Sequence, residues 1–253
     1  MNFPDLVTRV VGEQPYPFVF VTISGAHLYG FASPDSDYDI RGCHVLPARE
    51  VVGLRKGPET IDVSDVREGL ELDLVSHDAE KFFGMMLKKN GYVLEQVFSP
   101  LVLHGGEDHD RLKEIARRCV TRHHAHHYLG FARNQWDLFA KETPPRIKPL
   151  LYVYRVILTG IHLLRSGEVE ADLTVLNESF RLSFIADLVA RKREGAEKST
   201  LDDADLALHR REYDRLMTDL EEARIRSTLP EEPSARGDLH DLLVELRLRP
   251  ARC

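Results

Sequence analysis

Leu6, Val7, Val10 and Val11 recur at helical spacing near the start of the chain and predict a short amphipathic helix over residues 5–11. FVFVTI, residues 18–23, is almost wholly apolar and rich in β-branched and aromatic residues. It follows two prolines and reads as a buried strand. Glycines and a SPDSD sequence mark residues 24–36 as turn, and DYDIRGCHVL, residues 37–46, reads as the next strand. A weaker strand signal lies at 60–63, and LELDLV, residues 70–75, alternates cleanly.

The period then changes from two to 3.6. Asp78 is placed to cap a helix with Phe82, Phe83, Met86 and Leu87 on one stripe, which Asn90-Gly91 would end. Val93, Leu94, Val97 and Phe98 predict a second short helix. Further helices are expected over about 112–141, 173–194, 202–226 and 238–248. Between 141 and 173, Leu150, Leu151, Tyr154, Ile157, Leu158, Ile161 and Leu164 line one face of a long helix with Pro149 near its start. TLPEEPSARG, residues 228–237, reads as a polar linker. The expected class is α+β: a mixed β-sheet domain with flanking helices over residues 1–105, followed by an all-helical domain over 106–253.

Composition narrows this picture. The 253 residues are enough for one large domain or two modest ones, and 43% hydrophobic with 30% charged residues is ordinary for a globular chain. Cys43, Cys119 and Cys253 form no CxxC pair, so neither a disulfide framework nor a structural zinc site is expected, and a reducing cytoplasm fits best. MNFPDLVTRV lacks the apolar core of a signal peptide. The longest apolar run, around 150–158, is interrupted by Arg155, so no membrane partner is expected. Residues 1–105 hold nine Lys and Arg against fifteen Asp and Glu, while the remainder is nearly balanced at 25 and 26. Basic runs such as Arg191-Lys192-Arg193 read most simply as solvated helix faces.

The acidic half carries the candidate chemistry. On a strand, Asp37 and Asp39 project from one face with Cα atoms about 6–7 Å apart. At about 5 Å, two such charges repel by about 3 kcal/mol at an effective dielectric near 20, so solvent, a raised pKa, a basic partner or a cation must offset them. Asp73, between Leu72 and Leu74, becomes a third carboxylate if its strand pairs beside the first. Such a group suits Mg²⁺, with Mn²⁺ as an alternative. Ser24-Gly25-Ala26 follows a buried strand, where glycine permits a close backbone approach and free N–H groups can meet phosphate oxygens. The competing reading is that Asp35 and Asp37 simply serve the turn.

The order of apolar strand, glycine turn, ten residues, Asp37-Tyr38-Asp39-Ile40 and a later Asp73 resembles the DNA polymerase beta-type nucleotidyltransferase superfamily. More narrowly, SGAHLYG…PDSDYDIRG, DAEKFFGMMLKKNGYVLEQVFSP and YRVILTGIHLLRSGEVE resemble a predicted nucleotidyltransferase family associated with bacterial and phage RNA repair. The similarity is strong over about 18–100 and weaker over 120–172. The resemblance implies two-metal transfer of a nucleoside monophosphate from a nucleoside triphosphate such as ATP to an acceptor hydroxyl, with RNA the leading acceptor and pyrophosphate released. Asp37, Asp39 and Asp73 would be the catalytic metal ligands, with Glu71 the second choice for the third place. Ser24, Gly25, Ala26, His27 and Tyr29 would line the nucleotide, with Lys148 and Arg155 neutralising phosphates. For Arg155, a snorkelling or paired arginine on a buried helix is an equal alternative.

This chain departs from the family at two places. Ala26 stands where serine is usual, which removes a phosphate-contacting hydroxyl, and Asn90-Gly91 replaces the more frequent Asn-Pro. Two other functions stay open: transfer to a protein or small molecule, and non-catalytic binding of nucleotide or RNA. HHAHH, with His123 and His127 one turn apart, lacks a carboxylate at comparable spacing and reads as structural or exposed. Trp136 and Phe139 read as core.

Overall fold

A computed structural model describes residues 3–194 and 203–249. Cys253 and the first residue of the helix expected from 202 lie outside the described residues. In chain order the elements begin with α1 (Asp5–Gly12), β1 (Phe18–Ile23), α2 (Gly25–Leu28), β2 (Tyr38–His44), α3 (Ala48–Val52), β3 (Thr60–Arg67) and β4 (Leu70–Asp78). There follow α4 (Ala79–Leu87), α5 (Gly91–Phe98), β5 (Val102–His104), α6 (Glu107–Arg117), α7 (His124–Lys141) and α8 (Ile147–Ser166). The last are α9 (Leu173–Phe180), α10 (Ile185–Glu194), α11 (Asp203–Arg226) and α12 (Arg236–Leu248). The fold is α+β, a mixed sheet with helices followed by a helical region.

Two compact units divide the chain, and they interleave. Among the described residues, one takes 3–25, 37–119 and 232–249; the other takes 26–36, 120–194 and 203–231. The boundary expected at residue 105 falls within the 37–119 stretch of the first unit. The last helix belongs with the sheet because charge pairs fasten it there. The Arg247 guanidinium bonds both oxygens of Asp78, Arg249 bonds Asp108, and Arg118 pairs with Asp238. Leu239, Leu242 and Leu246 are buried along the same helix.

In the sheet unit the strand order is β3-β4-β2-β1-β5. β2 runs parallel to β4, and the other pairs are antiparallel. Strand alternation divides the two faces. Ile40, Leu72 and Leu74 join Val21 and Ile23 in one apolar cluster with Leu6, Val7, Val10 and Val11 of α1. Asp39, Arg41 and Asp73, at the alternate positions, face the other way. Asp78 caps α4 as expected, accepting from the Glu80 N–H. β5 and α3 carry no clear pattern in the sequence, and the long helices expected over 112–141 and 173–194 are each broken in two.

The helical unit is built around α8, which is buried along most of its length. Among the described residues it is the one helix long and apolar enough to cross a membrane, despite Arg155, and 78% of that stretch is buried inside the protein. Gly160 lets α7 approach, since a Cβ there would stand 2.7 Å from Tyr128 Cβ. Trp136 stacks on Tyr213 at 4.3 Å. The basic run of α10 is not a simple solvated face: Lys192 is buried and donates to Ser33 Oγ at 2.6 Å, and Arg193 donates to the Gly30 carbonyl.

Several buried or half-buried histidines make stability depend on pH. Burial, then the charges of Lys81, His44 and Arg41, lowers the His77 pKa to about 4. Burial, then Arg155, lowers His127 to about 4. Burial moves His44, His109 and His209 the same way. Groups with a depressed folded pKa bind fewer protons when native. Their contribution is therefore intact above the ordinary histidine value of 6.5 and declines as pH falls from there toward 4. The expected result is a Tm that drops steadily over that window in thermal melts. A Tm unchanged between about pH 7 and 5 would contradict it.

Candidate active site

Asp39 and Asp73 are register partners on the parallel strands β2 and β4. The paired strands hold their Cα atoms about 4.8 Å apart, side chains on one face. The condition set by the sequence, that the LELDLV strand lie beside the first, is met. Asp37 sits one residue before β2, and the ladder starts only at Tyr38↔Leu72, so pairing does not fix its direction. Among the described residues, no group of three or more His, Cys, Asp or Glu side chains stands together as a metal site. The structure thus sets Asp39 and Asp73 side by side, with Asp37 next to them in the chain. Glu71 shares Asp73's strand face but is exposed and pairs with Val66 of the edge strand β3.

What offsets the paired charges is Arg41, a residue the sequence reading passed over. It lies two residues beyond Asp39 on the same strand face and is 9% exposed. Its Nη2 donates to Asp39 Oδ1 at 2.7 Å and to Asp73 Oδ2 at 2.8 Å. Nη1 donates to the carbonyls of Ile40 and Asp73, and Nε to the Tyr92 hydroxyl at 2.9 Å. Burial opposes the charge, but Tyr92, Asp39 and Asp73 outweigh it and hold the guanidinium pKa above the ordinary arginine value. Ser64 completes the group by donating to Asp73 Oδ1 at 3.3 Å.

The Asn90-Gly91 departure has a local explanation here. Lys89 takes a left-handed φ of 63°, and Asn90 caps the next helix, accepting the Tyr92 N–H at 3.0 Å. Asn90 therefore starts α5 instead of merely ending α4, and in doing so sets the tyrosine that holds Arg41.

Gly25 permits a close approach within the fold itself. Its φ is +61°, and a Cβ there would lie 1.8 Å from Asp39 Oδ2. The missing side chain makes room for the carboxylate itself. The Ser24 N–H donates to the Asp39 carbonyl at 2.8 Å, tying the turn to the acid strand. The Ser24 hydroxyl is fully buried and has no hydrogen-bond partner among the described residues.

The other expected nucleotide contacts fall in the helical unit. Ala26 is buried, and its carbonyl accepts the Phe31 N–H. His27 is half-buried. Tyr29 and Arg155 are brought together: both are buried, with the guanidinium 4.0 Å from the ring centre, a cation–π contact. Lys148 is half-buried, and its charge helps lower the Asp35 pKa behind the larger effect of Ser33. His123 pairs with Glu231 and His124 is fully buried, in keeping with a structural reading of HHAHH.

A five-stranded mixed sheet with adjacent carboxylates on neighbouring strands and a glycine turn packed against one of them is a nucleotidyltransferase-like arrangement. Residues 5–245 match the RNA repair pathway DNA polymerase beta family, and the chain belongs to that family. Uncharacterized protein MJ0002 of Methanocaldococcus jannaschii is 37% identical over 158 residues, covering 62% of this chain. The chain spans 64% of the length of that relative. Uncharacterized protein YcgL of Bacillus subtilis is 25% identical over 202 residues, covering 78% of this chain and 73% of that protein. Among solved structures, a nucleotidyltransferase-like protein from Exiguobacterium sibiricum aligns over 96% of this chain and 75% of its own, with a TM-score of 0.33 and 14% identity.

Proposed function

We propose that this protein is a divalent-metal-dependent nucleotidyltransferase that moves a nucleoside monophosphate from a nucleoside triphosphate to an acceptor hydroxyl, with RNA as the acceptor. The observation that carries the reading is the register pairing of Asp39 with Asp73 beneath a glycine turn, in a chain of this family. The family's description, which names an RNA repair pathway, supports RNA as the acceptor.

The residues present fit Mg²⁺ or Mn²⁺. Asp39 Oδ1 and Asp73 Oδ2 are hard oxygen donors close enough to share one guanidinium nitrogen, Asp37 adjoins them in the chain, and Ser24 supplies a buried hydroxyl without a partner among the described residues. Asp37, Asp39 and Asp73 would hold the ions, in a two-metal arrangement. Bound there, divalent ions supply charge neutralisation for the phosphates and activation of the acceptor hydroxyl. The chain's own part is orientation. Parallel pairing sets the two carboxylates side by side, Gly25 keeps Asp39 seated, and Ser64 holds the outer oxygen of Asp73. His27, Tyr29, Lys148 and Arg155 enter the reading as nucleotide contacts by residue type, each testable through nucleotide affinity alone.

The test is incubation with Mg²⁺ or Mn²⁺, α-labelled nucleoside triphosphates, and RNA, protein or small-molecule acceptors in separate reactions. Label is expected in RNA. Asp39→Asn or Asp73→Asn is expected to slow transfer by on the order of 10²–10³, as when one preorganised charge-stabilising group is removed. Label entering protein or a small molecule instead would replace RNA in the reading. Absence of transfer to every acceptor, or transfer undiminished in the variants, would sink it.

A further inference from the structure

The five N–H groups of Arg41 are matched by five acceptors, and the match has two parts. Three bonds, to Tyr92 and to the Ile40 and Asp73 carbonyls, anchor the head to the fold without using a carboxylate. The two from Nη2 go to Asp39 Oδ1 and Asp73 Oδ2. The remaining carboxylate oxygens are turned elsewhere: Asp39 Oδ2 against Gly25, and Asp73 Oδ1 toward Ser64. One oxygen of each carboxylate assigned to the metal is therefore already bonded by a fixed internal cation.

We infer that Arg41 is a resident cation that sets the metal affinity of the carboxylate pair, so that a bare divalent ion binds weakly and the ion is accepted together with a polyphosphate. The inference rests on the metal-dependent reading above. The guanidinium offsets one unit of the negative charge that Asp39 and Asp73 would otherwise present to a divalent ion. A nucleoside triphosphate brings its own negative charge, and its oxygens can take over the two Nη2 donors that the carboxylates release. Arg41 is thus a positioning residue that favours entry of metal and nucleotide as one unit. Without metal, it keeps Asp39 and Asp73 from repelling each other.

The probe is Mn²⁺ alone, titrated without nucleotide into full-length wild type, Arg41→Gln, Arg41→Lys and Asp39→Asn/Arg41→Gln, with free Mn²⁺ read by electron paramagnetic resonance. Thermal melts in chelator and in Mn²⁺ accompany the titration. Arg41→Gln is expected to bind Mn²⁺ about tenfold more tightly than wild type, a modest share of one unit charge at this range. Its Tm should be lower in chelator and recover in Mn²⁺. Arg41→Lys, which keeps the charge, should stay near wild-type affinity. The double variant should lose the gain, because a ligand is gone.

Should Arg41→Gln fold only when Mn²⁺ is added, the inference is supported directly. A variant unfolded under both conditions, or one binding Mn²⁺ no better than wild type, overturns it. Arg41→Lys binding as tightly as Arg41→Gln also overturns it, since charge would then not be the cause. Mn²⁺ binding by neither wild type nor any variant removes the metal-dependent reading as well, so the two failures are distinguishable.

Discussion

Gly25→Ala is expected to lose both stability and transfer activity, although it adds a single methyl group. The added carbon would stand 1.8 Å from Asp39 Oδ2, 2.7 Å from its Cγ and 3.1 Å from its Cβ. A side chain must move, and the one in the way is a proposed metal ligand. The backbone adds a second penalty: a non-glycine residue held at φ +61° costs about 1–2 kcal/mol. Urea melts should show at least that loss, and transfer should fall by on the order of 10²–10³, as for removal of Asp39 itself. The diagnostic is the double variant with Asp39→Ala, which removes the colliding atoms. Its stability loss should be smaller than the sum of the two single losses, since the residues share the clash. Strict additivity would show that Gly25 is required for some other reason.

Arg247→Ala should produce the larger loss of stability, with no direct part in the chemistry. Asp78 is 2% exposed and holds three things at once: the guanidinium of α12, the Leu46 N–H at 2.9 Å, and the first turn of α4. Removing the arginine leaves a carboxylate buried with part of its partners gone, a change that typically costs about 3–5 kcal/mol. The pH response gives a second signature. Burial raises the Asp78 pKa, but Arg247 and the Leu46 and Glu80 N–H groups outweigh it, and the net shift is downward. A carboxylate depressed in the fold stabilises above its unfolded pKa of 3.8 and loses that contribution as pH falls through the lower folded value. Without Arg247 the downward shift shrinks or reverses, so acid unfolding should begin at higher pH. Chemical unfolding across acidic pH checks both statements. A loss under about 1 kcal/mol, well below the range for a broken buried pair, would mean α12 is fastened elsewhere.

The legible parts of this molecule were those decided by near neighbours in the chain. Apolar run and flanking prolines delimit β1, Asp78 caps α4, and the alternation of Leu72, Asp73 and Leu74 separates core from site on β4. The pairing of Asp73 with Asp39 was a conditional that the parallel register fulfils. Arg41 had a signal that went unused: the strand period that sets the face of Asp39 carries on to residue 41. Other features depend on distant partners and leave no local trace. Lys192 looks like part of a solvated basic run until Ser33, 159 residues away, accepts its hydrogen bond. The placement of α12 rests on Asp78, 169 residues before Arg247. β5 is three residues long and acquires its identity from β1 beside it.

The interleaving of the two units has a consequence for heredity. Residues 26–36 belong with the helical unit, and their partners are encoded far downstream: Arg155 over Tyr29, Asp172 against Gly30, Lys192 on Ser33. A recombination that exchanged only the coding region for 120–231 between relatives would deliver helices matched to a loop left behind in the recipient gene. The eleven-residue loop lies between Gly25 and Asp37, inside the acid motif, so it cannot be carried along by a crossover at either end of the gene. An exchange between relatives that kept the helical unit matched would have to take residues 26–36 together with 120–231.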